Sequence, residues 1–289
     1  MKTRTGNFPI GFRVGGSVWQ IDLSNLVRWA KSEGLEVIDV GTDGDHCVET
    51  IITAGLRVGS VDLLDAKNMI SADKGVRAAA IARNTDYIIN CAVAGPLNHF
   101  LAMLPQNPAI SRTENFGYMV DSFSELVTVL EANAARLVIE GWPGPGALCC
   151  TPEGYRAFFR ECRSPVMGIN YDPSHLIRMG IDYLRFLKEF ADRVYHVHGK
   201  DTEILSENQY HYGYEQPATF AKPILYGSHS WRYCIPGHGM SQWGQILSLL
   251  AENNYQGCIS IELEDEKFSG EGNDEQFGIL QGARFLSGC

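Results

Sequence analysis

Short apolar runs alternate with amphipathic stretches along the whole chain, and this alternation constrains the fold more than any other feature. The runs cover residues 8–14, 36–41, 57–63, 87–93, 136–140, 165–171, 194–198 and 257–263. They are short and rich in Val, Ile and Tyr, as buried strands are. Helical patterns lie between them. Leu23, Leu26, Val27 and Ala30 share one face before a stop at Gly34. Phe123, Leu126, Val127, Leu130 and Ala134 share another. Thr151 and Pro152 read as the cap and first residue of a third helix. Ile181, Leu184, Leu187 and Phe190 mark a fourth, and Trp243, Ile246, Leu247 and Leu250 a fifth. Strand and helix in repeated alternation require parallel strands joined by helical crossovers. Eight such units in 289 residues predict an α/β fold, a closed (β/α)8 TIM barrel spanning 1–289 as a single domain. An open doubly wound sheet would need G-x-G-x-x-G after an early strand, and Gly11, Gly15 and Gly16 lack that spacing.

Two stretches exceed simple connections. Residues 95–122 follow the expected fourth strand, and residues 201–241 follow the seventh. The second holds Tyr210, Tyr212, Tyr214, Phe220, Tyr226, Trp231 and Tyr233. Loops of this length in a compact domain serve as lids or binding loops. Both leave the rim where barrel enzymes keep their active sites.

Charge and cysteine content narrow the partners. Lys plus Arg is 24 against 34 for Asp plus Glu, a net charge of −10, which opposes binding to nucleic acid or an anionic membrane. No apolar run approaches the ~20 residues of a membrane span. Residues 1–7 carry positive charge with no apolar stretch behind them, so no secretory signal is expected. None of the eight cysteines forms a CxxC pair, which argues for a reducing cytoplasm.

The late strands end on polar groups. The fifth reads Leu137-Val-Ile-Glu140, the sixth Met167-Gly-Ile-Asn-Tyr-Asp172, the seventh Val194-Tyr-His-Val-His198 and the eighth Ile259-Ser-Ile-Glu262. In a barrel, four consecutive strand ends share one arc of the rim. Three carboxylates and an imidazole converging there would repel one another and lose hydration, and a divalent cation resolves the conflict. Oxygen-rich ligation favours Mn²⁺, with Mg²⁺ also suited, and the imidazole keeps Co²⁺ and Zn²⁺ open. His196 lies one layer deeper on the same strand face and reads as a core or supporting histidine. Lys200-Asp201 reads equally as a supporting pair or an exposed ion pair. Trp142 and Trp231 read equally as pocket-lining aromatics or as loop packing, and His238 reads as a turn residue near the pocket.

These residues, with Asp172-Pro-Ser-His175, His196-Val-His198-Gly-Lys200-Asp201 and Arg232-Tyr-Cys-Ile-Pro236-Gly-His-Gly239, resemble the xylose isomerase-like barrels of sugar phosphate isomerases and epimerases. The resemblance implies that Glu140, Asp172, His198 and Glu262 bind the metal, and that Glu140 and Glu262 form the acid–base pair. It implies substrate contacts at His175 and, more loosely, at Arg232. It also implies a homo-oligomer, in some relatives one working beside a partner subunit. The chain departs from the pattern in Gly141-Trp142-Pro143 and in the long aromatic loop, and both favour a substrate bulkier than a free pentose, such as a glycoside. A nuclease on this barrel would need further His and Asp ligands and a less acidic chain.

The implied reaction follows from the ligands. A chelated carbonyl acidifies the neighbouring C–H. One glutamate removes that proton to give an enediolate, and the other returns one. Return to the opposite face is epimerisation, and return to the neighbouring carbon is isomerisation. Loss of a β-substituent would make the same site a lyase, hydratase or deglycosidase.

Overall fold

The computed structural model describes residues 1–270 and 273–289. Its strands are β1 (Ile10–Arg13), β2 (Val37–Val40), β3 (Arg57–Asp62), β4 (Asn98–Ala102), β5 (Arg136–Glu140), β6 (Met167–Tyr171), β7 (Val194–Gly199), β8 (Asp201–Ile204), β9 (Trp231–Cys234) and β10 (Ile259–Ile261). Eight of them close a barrel in the order β1-β10-β7-β6-β5-β4-β3-β2. The pairs β1–β10, β10–β7, β3–β4, β4–β5 and β5–β6 are parallel. The remaining two, β8 and β9, form an antiparallel pair.

Eleven α-helices are described: α1 (Leu23–Ser32), α2 (Gly44–Thr53), α3 (Lys74–Cys91), α4 (Arg112–Glu125), α5 (Val127–Ala132), α6 (Pro152–Glu161), α7 (Pro173–Arg178), α8 (Tyr183–Phe190), α9 (Ser206–Tyr212), α10 (Trp243–Glu252) and α11 (Asn273–Ser287). Their starts follow the capping rule. Asp22 accepts from the Asn25 N–H, Asp73 from Gly75 and Val76, and Thr151 from Gly154 with Pro152 next to it. Helix α1 buries Leu26, Val27 and Ala30 and ends before Gly34, whose φ of 75° suits a residue without Cβ. No helix among the described residues is long and apolar enough to cross a membrane.

Contacts are densest within two units. One comprises Met1–Val37, Asp172–Glu189 and Val197–Cys289, and the other Ile38–Tyr171 and Phe190–His196. In the first, Ile10, Phe12, Ile259 and Ile261 are fully buried, and Trp243, Ile246 and Leu247 of α10 are buried too. In the second, Val61, Leu137, Val138 and Ile139 are fully buried, as are Phe123 and Phe158 on the helices.

One expected strand is overturned. Residues 87–93 end helix α3, and the fourth barrel strand is Asn98–Ala102. Tyr87, Ile88 and Cys91 are buried at spacings of one and four, which is one helical face, and the preceding Ala78, Ala79 and Ala80 favour helix. The true strand opens on Asn98 and His99, which disguised its apolar part. The stretch 95–122 is therefore not a loop: it contains β4 and most of α4. The stretch 201–241 carries β8, α9 and β9.

His99 is the cost of that strand. It is 1% exposed, and neither ring nitrogen has a hydrogen-bond partner. Burial lowers its pKa from 6.5 to about 4. The unfolded chain takes up the proton first, so stability is intact above about pH 6.5 and declines as the pH falls toward 4. The shift corresponds to about 3 kcal/mol at the acid limit. Urea midpoints between pH 7 and 4 should therefore fall less steeply for His99→Leu than for the wild type.

Candidate metal centre

The site is built from residues on barrel strands or directly after them. Asp172 comes directly after β6 and caps α7. Its Oδ1 accepts the Ser174 N–H at 2.8 Å, with Pro173 as the first helical residue. This cap fixes the carboxylate and leaves Oδ2 facing Lys200 Nζ at 3.2 Å and His175 Nε2 at 3.3 Å. His198 lies on β7, fully buried, with Nδ1 3.3 Å from a Glu262 oxygen. Glu262 comes directly after β10 and faces Arg13 Nε, at the end of β1, at 3.3 Å. Asp172, His198 and Glu262 each offer a ligand atom within 4.8 Å of the others.

Lys200 is the counter-charge at this cluster. It is 1% exposed and bonds to Glu262, to Glu264 at 2.9 Å and to Asp172. The ring of Tyr233 lies 4.6 Å from its ammonium. A lysine this deep is tolerable only because three carboxylates surround it. Asp201 does different work. Its buried carboxylate accepts the backbone N–H groups of Thr202, Gly237 and Ser241 and so holds the turn after β9. Burial pushes its carboxyl above the usual range, against those hydrogen bonds.

Tyr233, on β9, is a second hub. Its hydroxyl lies 2.6 Å from His175 Nδ1 and accepts from Arg178 at 2.8 Å. Burial pushes its phenol above the ordinary range, while Lys200 and Arg178 pull the other way. Arg178 also stacks 4.6 Å above the Trp231 ring.

The other unit holds Glu140 at the end of β5, buried, opposite Asn170 in the strand register. Asn170 Nδ2 donates to Glu140 Oε1 at 3.0 Å. His196 is buried there against Asp39 at 2.7 Å, as a supporting histidine. Trp142 follows two residues after Glu140, half-buried, with its ring against Gly144.

Arg232 is placed differently from the cluster. Its guanidinium is buried and bonds to Glu203 at 2.8 Å and Asp265 at 2.7 Å, which ties β8 and β9 to the segment after β10. His238 is exposed in its turn, near Gln281. A cavity of about 400 Å³ adjoins Glu262, lined also by Arg13, Gly16, Tyr226, Glu264 and Glu275.

Of the two readings of Lys200-Asp201, the exposed ion pair is excluded by the burial of both residues, whereas Tyr233 and Glu264 were not assigned to the site from sequence. Parity on the strand was the available signal for Lys200, which stands two residues after His198 on the same face. Tyr233 had no such signal, because the aromatic stretch around it shows no period.

The sequence model of the xylose isomerase-like TIM barrel family matches residues 20–289. An inosose dehydratase of Clostridium botulinum (strain Eklund 17B / Type B) is 33% identical over 98 residues, 33% of this chain and 30% of that protein. The chain spans about a third of the length of the curated relatives it matches first. Among solved structures, the apo 3-keto-D-glucoside 4-epimerase YcjR from E. coli is similar with a TM-score of 0.70. It is 15% identical, and the match covers 98% of this chain and 100% of that one. D-psicose 3-epimerase, solved in the presence of D-fructose, is similar with a TM-score of 0.71 at 14% identity, covering 97% and 100%.

Proposed function

The chain belongs to the xylose isomerase-like TIM barrel family, and from that premise we propose that it is a divalent-metal-dependent isomerase or epimerase of a keto-sugar. One observation carries the reading. Asp172 after β6, His198 on β7 and Glu262 after β10 each offer a ligand atom within 4.8 Å of the others, and Glu140 at the end of β5 is the proposed fourth ligand. The donor set fits such an ion. Its three carboxylates, with Glu264, outnumber the two cations beside them, Lys200 and Arg13. At Glu140 and Asp172 the negative charge is buried, and that is costly without a further cation. Oxygen-rich ligation with one imidazole suits Mn²⁺.

A bound divalent cation would polarise a substrate carbonyl and so acidify the adjacent C–H. Glu140 and Glu262 would flank that carbon. One, as carboxylate, takes the proton, and the substrate is left as an enediolate. The other, as carboxylic acid, returns a proton to the opposite face or to the neighbouring carbon. Arg13 and Lys200 hold the Glu262 carboxylate in place. His175 and Trp142 are the proposed substrate contacts, the second offering an apolar face. The cavity beside Glu262 has room for a substituent on the sugar, in keeping with a glycoside.

Elimination of water from the same enediolate is the second reading. A departing hydroxyl needs a donor, and Lys200 and His175 stand beside the same carboxylates. Incubation with ketoses, keto-glycosides and inososes in D₂O tests both. Deuterium entering the carbon next to the carbonyl, only with a divalent ion present, is expected for either reading. Retained skeleton oxygens mark the first reading, and loss of a hydroxyl marks the second. Exchange that persists in metal-stripped enzyme would overturn both.

A further inference from the structure

The segment after β7 folds into β8, α9 and β9. It supplies Tyr233, and Tyr233 is joined to the carboxylate cluster through His175. Donor bookkeeping restricts how the protons can lie. A guanidinium only donates, so Arg178 gives its hydrogen to the Tyr233 oxygen at 2.8 Å. The phenol proton is then directed to the other close partner, His175 Nδ1 at 2.6 Å. A neutral imidazole that accepts at Nδ1 carries its proton on Nε2. That nitrogen lies 3.3 Å from Asp172 Oδ2. In the opposite tautomer a bare lone pair on Nε2 would face a carboxylate oxygen, and Tyr233 would accept two hydrogens while its own needed another acceptor. Both effects favour the first arrangement.

We infer that Tyr233 and Arg178 are positioning residues that fix the tautomer of His175, placing its proton on Nε2, the nitrogen 3.3 Å from Asp172 Oδ2. The packing is rigid enough for the task. His175 is fully buried and Tyr233 is 3% exposed, and the two rings meet edge to face at 5.3 Å. Arg178 is clamped above Trp231. The insertion thereby sets the hydrogen-bond polarity of a group beside the proposed catalytic centre. The functional weight of this inference rests on reading Asp172 as a metal ligand, but its primary readout does not.

That readout is the ring nitrogen spectrum of ¹⁵N-histidine-labelled protein without metal, with His175 assigned by its loss in His175→Gln. The wild type should show Nε2 protonated and Nδ1 bare. Tyr233→Phe keeps the ring that packs under Lys200 and removes only the hydroxyl. It should move His175 to a tautomer mixture or to Nδ1–H. A second readout is affinity for Mn²⁺ alone by calorimetry, expected to fall about tenfold in the variant, as outer-shell changes do. A wild-type His175 protonated on Nδ1, or on both nitrogens, overturns the inference even if the variant does not fold. So does an unchanged ring signature in Tyr233→Phe. If the signature follows as expected while the wild type takes up no Mn²⁺, the positioning stands and the metal reading falls.

Discussion

Glu140→Gln and Glu262→Gln should each lower the rate of carbon-bound proton exchange by about 10²- to 10⁴-fold, the usual span for loss of a positioned acid or base. Glutamine keeps the volume of the side chain but neither takes nor returns the proton. In Glu140→Gln the Asn170 N–H still has an oxygen to donate to, so the strand end is preserved. In Glu262→Gln the charge paired with Arg13 and Lys200 is lost, and metal affinity should fall as well. Glu140 is a proposed ligand as well, so both variants should bind metal more weakly, and their exchange rates are compared at saturating Mn²⁺. Deuterium wash-in on the keto-sugar that the wild type exchanges fastest is the check. Either variant within about threefold of the wild type would remove that glutamate from the acid–base pair, given the span above.

Lys200→Met should cost the metal-free protein about 3 kcal/mol, the lower end of the range for breaking a buried ion pair, because Glu262 and Glu264 keep some solvent. At a few degrees per kcal/mol, the melting temperature should drop by roughly 6–10 °C. The reason is local. Asp172, Glu262 and Glu264 lose the ammonium that separates them. A divalent cation substitutes for part of that charge, so millimolar Mn²⁺ should raise the melting temperature of the variant more than that of the wild type. Equal shifts in the two proteins would mean that Lys200 and the ion do not share the same carboxylates.

The barrel was legible because its signal is periodic. Seven of the eight expected runs contain or overlap barrel strands, and the expected cap at Thr151 is a local signal. The failure at 87–93 has a physical cause. A short buried apolar run reads alike in a helix and a strand, and in Lys74–Cys91 the helix won through its alanines. The candidate ligands were visible as residues that end apolar runs, a position the chain itself marks. The rest of the centre was not. Lys200 earns its role from depth, which one residue letter does not carry. Arg232 stands in a motif-like stretch, yet its partners Glu203 and Asp265 lie 29 and 33 positions away along the chain. The link from Tyr233 through His175 to Asp172 depends on where the β8–β9 pair folds back, and no period in 201–241 encodes it.

The central claim is that the strand-end carboxylates and His198 hold one divalent ion. The direct test is Mn²⁺ titration of metal-stripped protein by calorimetry, for the wild type and for Asp172→Asn, which can still accept the Ser174 N–H and so keeps the cap of α7. The account predicts one ion per wild-type chain and an affinity at least ~10²-fold weaker in the variant, in the range expected when charged ligation is lost. A wild-type chain that takes up no ion, or a variant that binds as tightly as the wild type, would contradict it.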